Sequence, residues 1–491
     1  MLLLGIDLGT SSVKVSVVDA VSQKSIASAQ YPDTEAPIIA PEPGWAEQDP
    51  EQWWLFVKQA IQKAHASGNY NPADIGAIGI AYQMHGLVAL DENGVPVRNS
   101  IIWCDSRAVP YGDKAFDVIG HQKALQSLLN SPGNFTAAKL SWVKENEPER
   151  YEKIRKVMLP GDYIAYRLTG EITTSESALS EGVFWDFKQN NLSEEVMTYF
   201  GFDRNLIPAI SPLFGSHGFT SEKIAGELQL KQGIPVTYKA GDQPNNALSL
   251  NVMRPGEVAA TAGTSGVIYG VADSLVYDES SRINSFAHVN HQHSDPRIGV
   301  LLCINGCGIL NKSIRQLTGS SLGYAAINHE AEGIEAGSNG LIILPFGNGA
   351  ERMLGNQCPG AQVHGWDFNL HSNAHFYRAA QEGVAFAFRY GFDIMRENGM
   401  KPGVIRAGKA NMFLSGVFTQ TLVDVLGIPV ELYDADGSVG AALGAGIGAK
   451  CFTENELGKG LTLHSTITPA SNGQYEPVYQ QWLNLLNQSI R

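Results

Sequence analysis

Apolar residues follow two rhythms along this chain. Leu2 to Ile6 form an apolar run, and after Gly9-Thr10-Ser11-Ser12 the residues Val13, Val15 and Val17 alternate with Lys14 and Ser16. A period of two marks a strand and the glycine-led tetrapeptide a tight turn, so residues 2–18 predict a β-hairpin. A second unit of this kind spans Val258 to Val267, where Thr261-Ala262-Gly263-Thr264-Ser265-Gly266 separates a short apolar run from Val267-Ile268-Tyr269. One Gly-Thr-Ser triplet begins at Gly9 and the other at Gly263, the pattern that duplication of one domain plan leaves behind.

The other rhythm is helical. Trp54, Val57, Ile61 and Ala64 recur at helix spacing behind Asp49 and Pro50, an N-cap residue followed by proline at the first helical position. His375 to Asn398 reads as a long amphipathic helix stopped at Gly399. A strand at Val404-Ile405, a helix from Met412 to Leu426 and a strand from Pro429 to Leu432 follow. Strands alternating with helices predict an α/β fold with mixed or parallel sheets covered on both faces.

Composition sets the scale. One hydrophobic core stops growing at about 250 to 300 residues, so 491 residues, 44% of them apolar and 17% charged, predict two. The expected division is 1–245 and 246–491, with the boundary near 245–257 and a hinged cleft in place of a flexible linker. A net charge of −14 argues against a nucleic-acid or anionic-membrane surface. No stretch has membrane-spanning length, and the N-terminal segment meets Asp7 before a signal-peptide core forms. A cytoplasmic protein is therefore expected, with a homodimer left open. Five cysteines, an odd number, read as reduced thiols, and Cys303 and Cys307 as buried free thiols rather than a metal pair.

An acidic protein that binds an anionic nucleotide must hold it locally. The paired turns offer backbone N–H groups and hydroxyls for phosphates, from Gly9, Thr10 and Ser11 in one half and Gly263, Thr264 and Ser265 in the other. Taken singly, each is also an ordinary hairpin turn. The repetition favours phosphate, as does the neighbouring Asp7, a carboxylate suited to Mg²⁺ through water. Phosphoryl transfer to a hydroxyl needs a proton acceptor, and Asp242, in Ala240-Gly241-Asp242-Gln243 after an apolar segment, is placed to face a cleft. As a bare Gly-Asp dipeptide it also reads as a turn. Gly403 to Ala410 has P-loop spacing, but Ala410 lacks the required hydroxyl and a strand falls inside the loop. Gly408 therefore reads as a loop glycine near adenosine. His288, His291 and His293 cluster without an acidic or cysteine ligand at structural-site spacing, so they read as solvated or supporting histidines rather than zinc ligands.

From Gly5-Ile6-Asp7-Leu8-Gly9-Thr10-Ser11 to Gly440-Ala441-Ala442-Leu443-Gly444-Ala445, the sequence resembles the FGGY carbohydrate kinases, and within them the xylulokinases. The closer resemblance rests on Gly44 to Trp54, on Gln83-Met84-His85-Gly86, and on Trp103 with Asp105 and Arg107. Thr136 to Val143 echoes the first family signature and Gly365 to Glu382 the second. The resemblance implies two ribonuclease-H-like domains of the actin/hexokinase type, the N-terminal one holding sugar and the C-terminal one mainly ATP. It implies that Asp242 is the general base, that Met84, His85 and Trp103 contact a ketose, and that Gln243 hydrogen-bonds a sugar hydroxyl. Gly263 and Thr264 carry over to the phosphates and Gly408 to adenosine. D-xylulose is the first substrate expected and another ketose, such as sedoheptulose, the next. A sugar-sensing protein without transfer is the reading from another class. Three positions depart from the family pattern: Gln243 stands for Asn, Ala407-Gly408-Lys409-Ala410 for a glycine-rich run, and Trp366 for a small aliphatic residue.

Overall fold

In the computed structural model, which describes residues 1–470 and 473–490, two mixed sheets repeat one plan. In the N-terminal half β1 (Leu2–Leu8), β2 (Val13–Asp19) and β3 (Ser25–Tyr31) form an antiparallel meander, with Leu8 opposite Val13 across the first turn. Helix α1 (Pro50–His65) leads to β4 (Ile75–Tyr82), which runs parallel to β1. Then come α2 (Thr136–Asn146), α3 (Pro160–Thr169) and α4 (Glu176–Glu181), and β5 (Val236–Gly241), parallel to β4. Helix α5 (Asp242–Ser249) follows directly.

The C-terminal half contains β6 (Glu257–Ala262), β7 (Gly266–Ala272), β8 (Asn284–Ala287), β9 (Ile298–Ile304) and α6 (Gly308–Leu317). It continues through α7 (Asn373–Glu397), β10 (Val404–Gly408), α8 (Gly416–Leu426), β11 (Val430–Tyr433), α9 (Gly437–Gly448) and β12 (Leu463–Ile467). The sheet orders are β5-β4-β1-β2-β3 and β8-β9-β7-β6-β10-β11-β12. The central run β11-β10-β6-β7-β9 copies the first sheet, with a hairpin extended by an antiparallel strand on one side and two parallel strands on the other. The duplication read from two triplets is thus present in the topology.

Local rules explain the elements. Asp49 accepts from the Glu51 N–H and Pro50 opens α1, which buries Trp53, Trp54, Val57, Ala60, Ile61 and Ala64. The helix expected from Met412 begins instead at Gly416. Asn411–Leu414 is a 3₁₀ turn, and the Ser415 side chain caps α8 by accepting from the Phe418 N–H. The strand expected at Pro429 to Leu432 runs from Val430 to Tyr433. Strand β10 extends through Gly408, so extended backbone occupies the place of a phosphate loop.

Helix α9 follows the last parallel strand of the C-terminal half but packs on β1, β2, β4 and β5 of the N-terminal sheet. Glycines permit this approach: a Cβ on Gly5 would lie 1.8 Å from the Ser438 carbonyl oxygen, and one on Gly79 2.0 Å from that of Ala441. Leu3, Tyr238, Leu248, Ala442 and Leu443 fill the seam. The edge strand β8 is sealed by the other half, because Asn130 Nδ2 donates to the Ser285 carbonyl at 2.6 Å and Ser177 Oγ to that of Ala287 at 2.9 Å. Among the described residues no helix is long and apolar enough to cross a membrane.

Candidate active site

The ends of β1 and β5 bring two carboxylates to one cleft. Asp7 precedes the Gly9 turn, and Asp242 is the first residue of α5, both partly accessible. Burial and the Asp436 carboxylate push Asp7 up to about 6, and burial and Asp7 push Asp242 up to about 7 against the hydrogen bonds of Gln243. Asp7 lies hard against the start of α9, since a Cβ on Gly437 would be 2.3 Å from its Oδ2. Like charges gathered in a desolvated place fit a cation. Among the described residues no three His, Cys, Asp or Glu side chains converge as one metal site. A divalent ion held beside Asp7 would have to take most of its ligands from water and phosphate.

Met84 and His85 follow β4. Met84 is buried against the strand end that bears Asp242, with its Cγ 2.7 Å from where a Gly241 Cβ would lie. His85 sits between Phe135, 4.8 Å away edge-on, and Phe286 of the other half at 5.4 Å. Its Nδ1 is 3.2 Å from the Glu181 carbonyl oxygen, which only accepts, so Nδ1 carries the hydrogen and Nε2 keeps its lone pair. Burial, with Lys139 and Arg352 nearby, holds the ring neutral by lowering its pKa to about 3. Trp103 is half exposed and donates from Nε1 to Thr10 Oγ1 at 2.9 Å. Gln48 Nε2 donates to the Thr10 carbonyl at 2.8 Å, so the first turn is tied to the same wall.

The second turn opens on a cavity. Gly263 and Thr264 line a cavity of about 660 Å³ with Gly308, Ile309, Lys312 and Asn411. Gly308 N–H donates to the Gly263 carbonyl at 2.8 Å, which seats α6 beside the turn. Gly408 lines a separate cavity of about 460 Å³, and the loop from Gly408 to Asn411 divides the two.

Sequence reasoning missed several residues here. Cys307 is buried as expected, but Cys303 is exposed in the cleft, close enough to Arg352 and Asp242 to feel their charge. It stands at the end of β9, where alternation turns one residue outward. The protein crowded around the sulfur desolvates it even so and pushes its thiol up to about 11, so it stays neutral. The three histidines sit in different surroundings: His288 is fully buried, His291 lies 3.2 Å from Glu176, and His293 is exposed beyond β8. Asp436 and the 660 Å³ cavity gave no sequence signal, because each is assembled from distant segments. Glu181 gave one, a lone carboxylate in the otherwise small and apolar Ala178 to Phe184.

Known proteins resemble this chain along nearly its whole length. The chain is 29% identical over 507 aligned residues to a xylulose kinase of Haemophilus influenzae, covering 99% of each chain. It is 30% identical over 447 to a xylulose kinase of Escherichia coli, covering 90% of this chain and 88% of that one. The solved structure of a xyloylose kinase from Brucella ovis superposes with a TM-score of 0.88 at 25% identity, covering 99% of both chains. Residues 2–249 match the N-terminal domain, and residues 258–449 the C-terminal domain, of the FGGY family of carbohydrate kinases. With both domain plans matched and both sheets in the actin/hexokinase arrangement, the chain belongs to the FGGY family and is a carbohydrate kinase.

Proposed function

We propose that this kinase moves the γ-phosphoryl group of MgATP onto a ketopentose, D-xylulose giving D-xylulose 5-phosphate. The observation that carries the reading is Asp242, desolvated at the start of α5 with its pKa near 7, next to Met84 and within the field of Asp7. A carboxylate so poised takes the proton of the attacking hydroxyl at neutral pH. In this reading Met84, His85, Trp103 and Gln243 hold the sugar, His85 Nε2 and the Gln243 amide meeting its hydroxyls. The Gly9-Thr10-Ser11 and Gly263-Thr264-Ser265 turns cradle the phosphates, adenosine lies along the loop from Gly408 to Asn411 that separates the two cavities, and Asp7 anchors Mg²⁺ through water. When bound, the ion neutralises developing phosphate charge. Residues 1–245 serve the sugar and 246–491 the nucleotide, and closure of the cleft excludes water as a competing acceptor.

Coupled ADP release measured across D-xylulose, L-ribulose, sedoheptulose, glycerol and gluconate tests the assignment. D-xylulose is expected to give the highest kcat/KM. A clearly higher value for any other acceptor overturns the substrate and leaves the kinase in place.

A further inference from the structure

Glu181 takes no part in the mechanism above, yet it is a carboxyl group 2% exposed at the heart of the cleft wall. His85 holds a left-handed backbone with φ of 62°, a region costly to any residue with a Cβ. Its peptide is gripped on both sides. Its N–H donates to Glu181 Oε1 at 2.8 Å, and its carbonyl accepts from Lys139 Nζ at 2.8 Å and Thr136 Oγ1 at 3.3 Å. The ring is gripped too, through Nδ1 and the Glu181 carbonyl at 3.2 Å. Glu181 Oε2 accepts from Tyr82 OH at 3.3 Å and lies 2.7 Å from where a Cβ on Gly241 would sit, one residue before Asp242. One side chain therefore joins the end of β4, the His85 turn and the end of β5.

We infer that Glu181 is a positioning residue for the sugar, acting through His85, whose strained turn it holds in place beside Asp242. The inference rests on the sugar side of the cleft proposed above. Burial raises Glu181 well above the ordinary carboxyl range, so a neutral amide resembles it better than a charge does. Oε1 needs only to accept, which the amide oxygen of glutamine also does.

The test uses the full-length enzyme and the best acceptor in the sugar panel. Glu181→Met fills the same space without an acceptor and leaves the His85 N–H unpaired, so sugar affinity by calorimetry is expected to fall about tenfold while the KM for MgATP moves less than about twofold. Glu181→Gln is expected to stay within about threefold of wild type. In a His85→Ala background the Glu181→Met loss should disappear, because the group it positions is gone. Should Glu181→Met not fold, Tyr82→Phe, which removes only the hydroxyl steadying Oε2, decides with an expected loss of about threefold. Unchanged sugar affinity in the deciding variant, parallel losses for sugar and MgATP, a Gln variant as damaged as Met, or an additive double variant overturns the inference. A wild-type enzyme that phosphorylates none of the sugars overturns the proposed function instead, before any variant is compared.

Discussion

The two Gly-Thr-Ser turns close equivalent hairpins, yet the protein surrounds them differently. A Cβ at Gly9 would lie 3.1 Å from the Ser12 carbonyl oxygen, tighter than ordinary contact, whereas at Gly263 the nearest atom would be 3.7 Å away. Thr10 is bound by Trp103 and Gln48, while Thr264 is exposed at the cavity beside α6. The first turn leaves little room for a side chain at Gly9. The second has room for a side chain, so its own packing does not call for glycine, in keeping with the proposed approach of phosphate. Duplication supplied one frame twice, and the neighbours of each turn divided the labour.

The most forceful way to break this division is at the residue between the turns. Asp242→Asn keeps the shape of the side chain and removes the base, and kcat is expected to fall about 10²-fold to 10⁴-fold with sugar affinity nearly intact. Near-normal single-turnover transfer in the folded variant would move the base elsewhere. Next in size, Gly263→Val should weaken MgATP about tenfold by calorimetry without lowering the melting temperature, because the branched side chain blocks only the approach of phosphate. Equal nucleotide affinity removes the second turn from the site.

The carboxylates sharpen the comparison through pH. With Asp242 raised to about 7, kcat/KM for the sugar should rise with pH and level off above neutrality, dropping about tenfold per unit below it. The stability effect has the opposite sense. A folded pKa above the unfolded one means that the native state binds more protons, so this group costs stability as pH rises from about 4 through 7. Asp242→Asn should therefore raise the melting temperature at pH 8 by about 2 °C and leave it unchanged at pH 4. A flat profile in both assays would show an ordinary carboxylate. The smallest effect is expected at the turns themselves: Gly9→Ala should lower the melting temperature by about 2 °C, and Gly263→Ala should not. Equal losses would erase the contrast.

How far the sequence anticipates this depends on whether the signal is local. Hairpin and cap rules act over a few residues, so β1, β2, β6, β7 and α1 are legible from Gly9, Gly263, Asp49 and Pro50. The start of α8 is missed because Asn411 to Leu414 is apolar enough to pass for helix, and only the Ser415 cap marks the break. Asp7 and Asp242 are legible as strand-end carboxylates, whereas the charge that Asp436 adds to Asp7 depends on a helix from the far end of the chain. Cys303 misleads because an apolar neighbourhood in sequence is compatible with a side chain turned into a cleft. Glu181 is visible as an oddity, but its partners come from β4, the His85 turn and β5, which no window of sequence joins.

The path of α9 has a consequence for the order in which the molecule is made. Residues 437–448 cover a sheet whose first strand is Leu2–Leu8, against the glycines at positions 5 and 79. As the chain emerges from the ribosome, the first sheet to form keeps one face bare until nearly the whole polypeptide has been synthesised. The domain begun earliest therefore waits for residues 437–448 before its sheet is covered. A product truncated before residue 437 presents an uncovered sheet, so completion of the first half depends on translation well into the second.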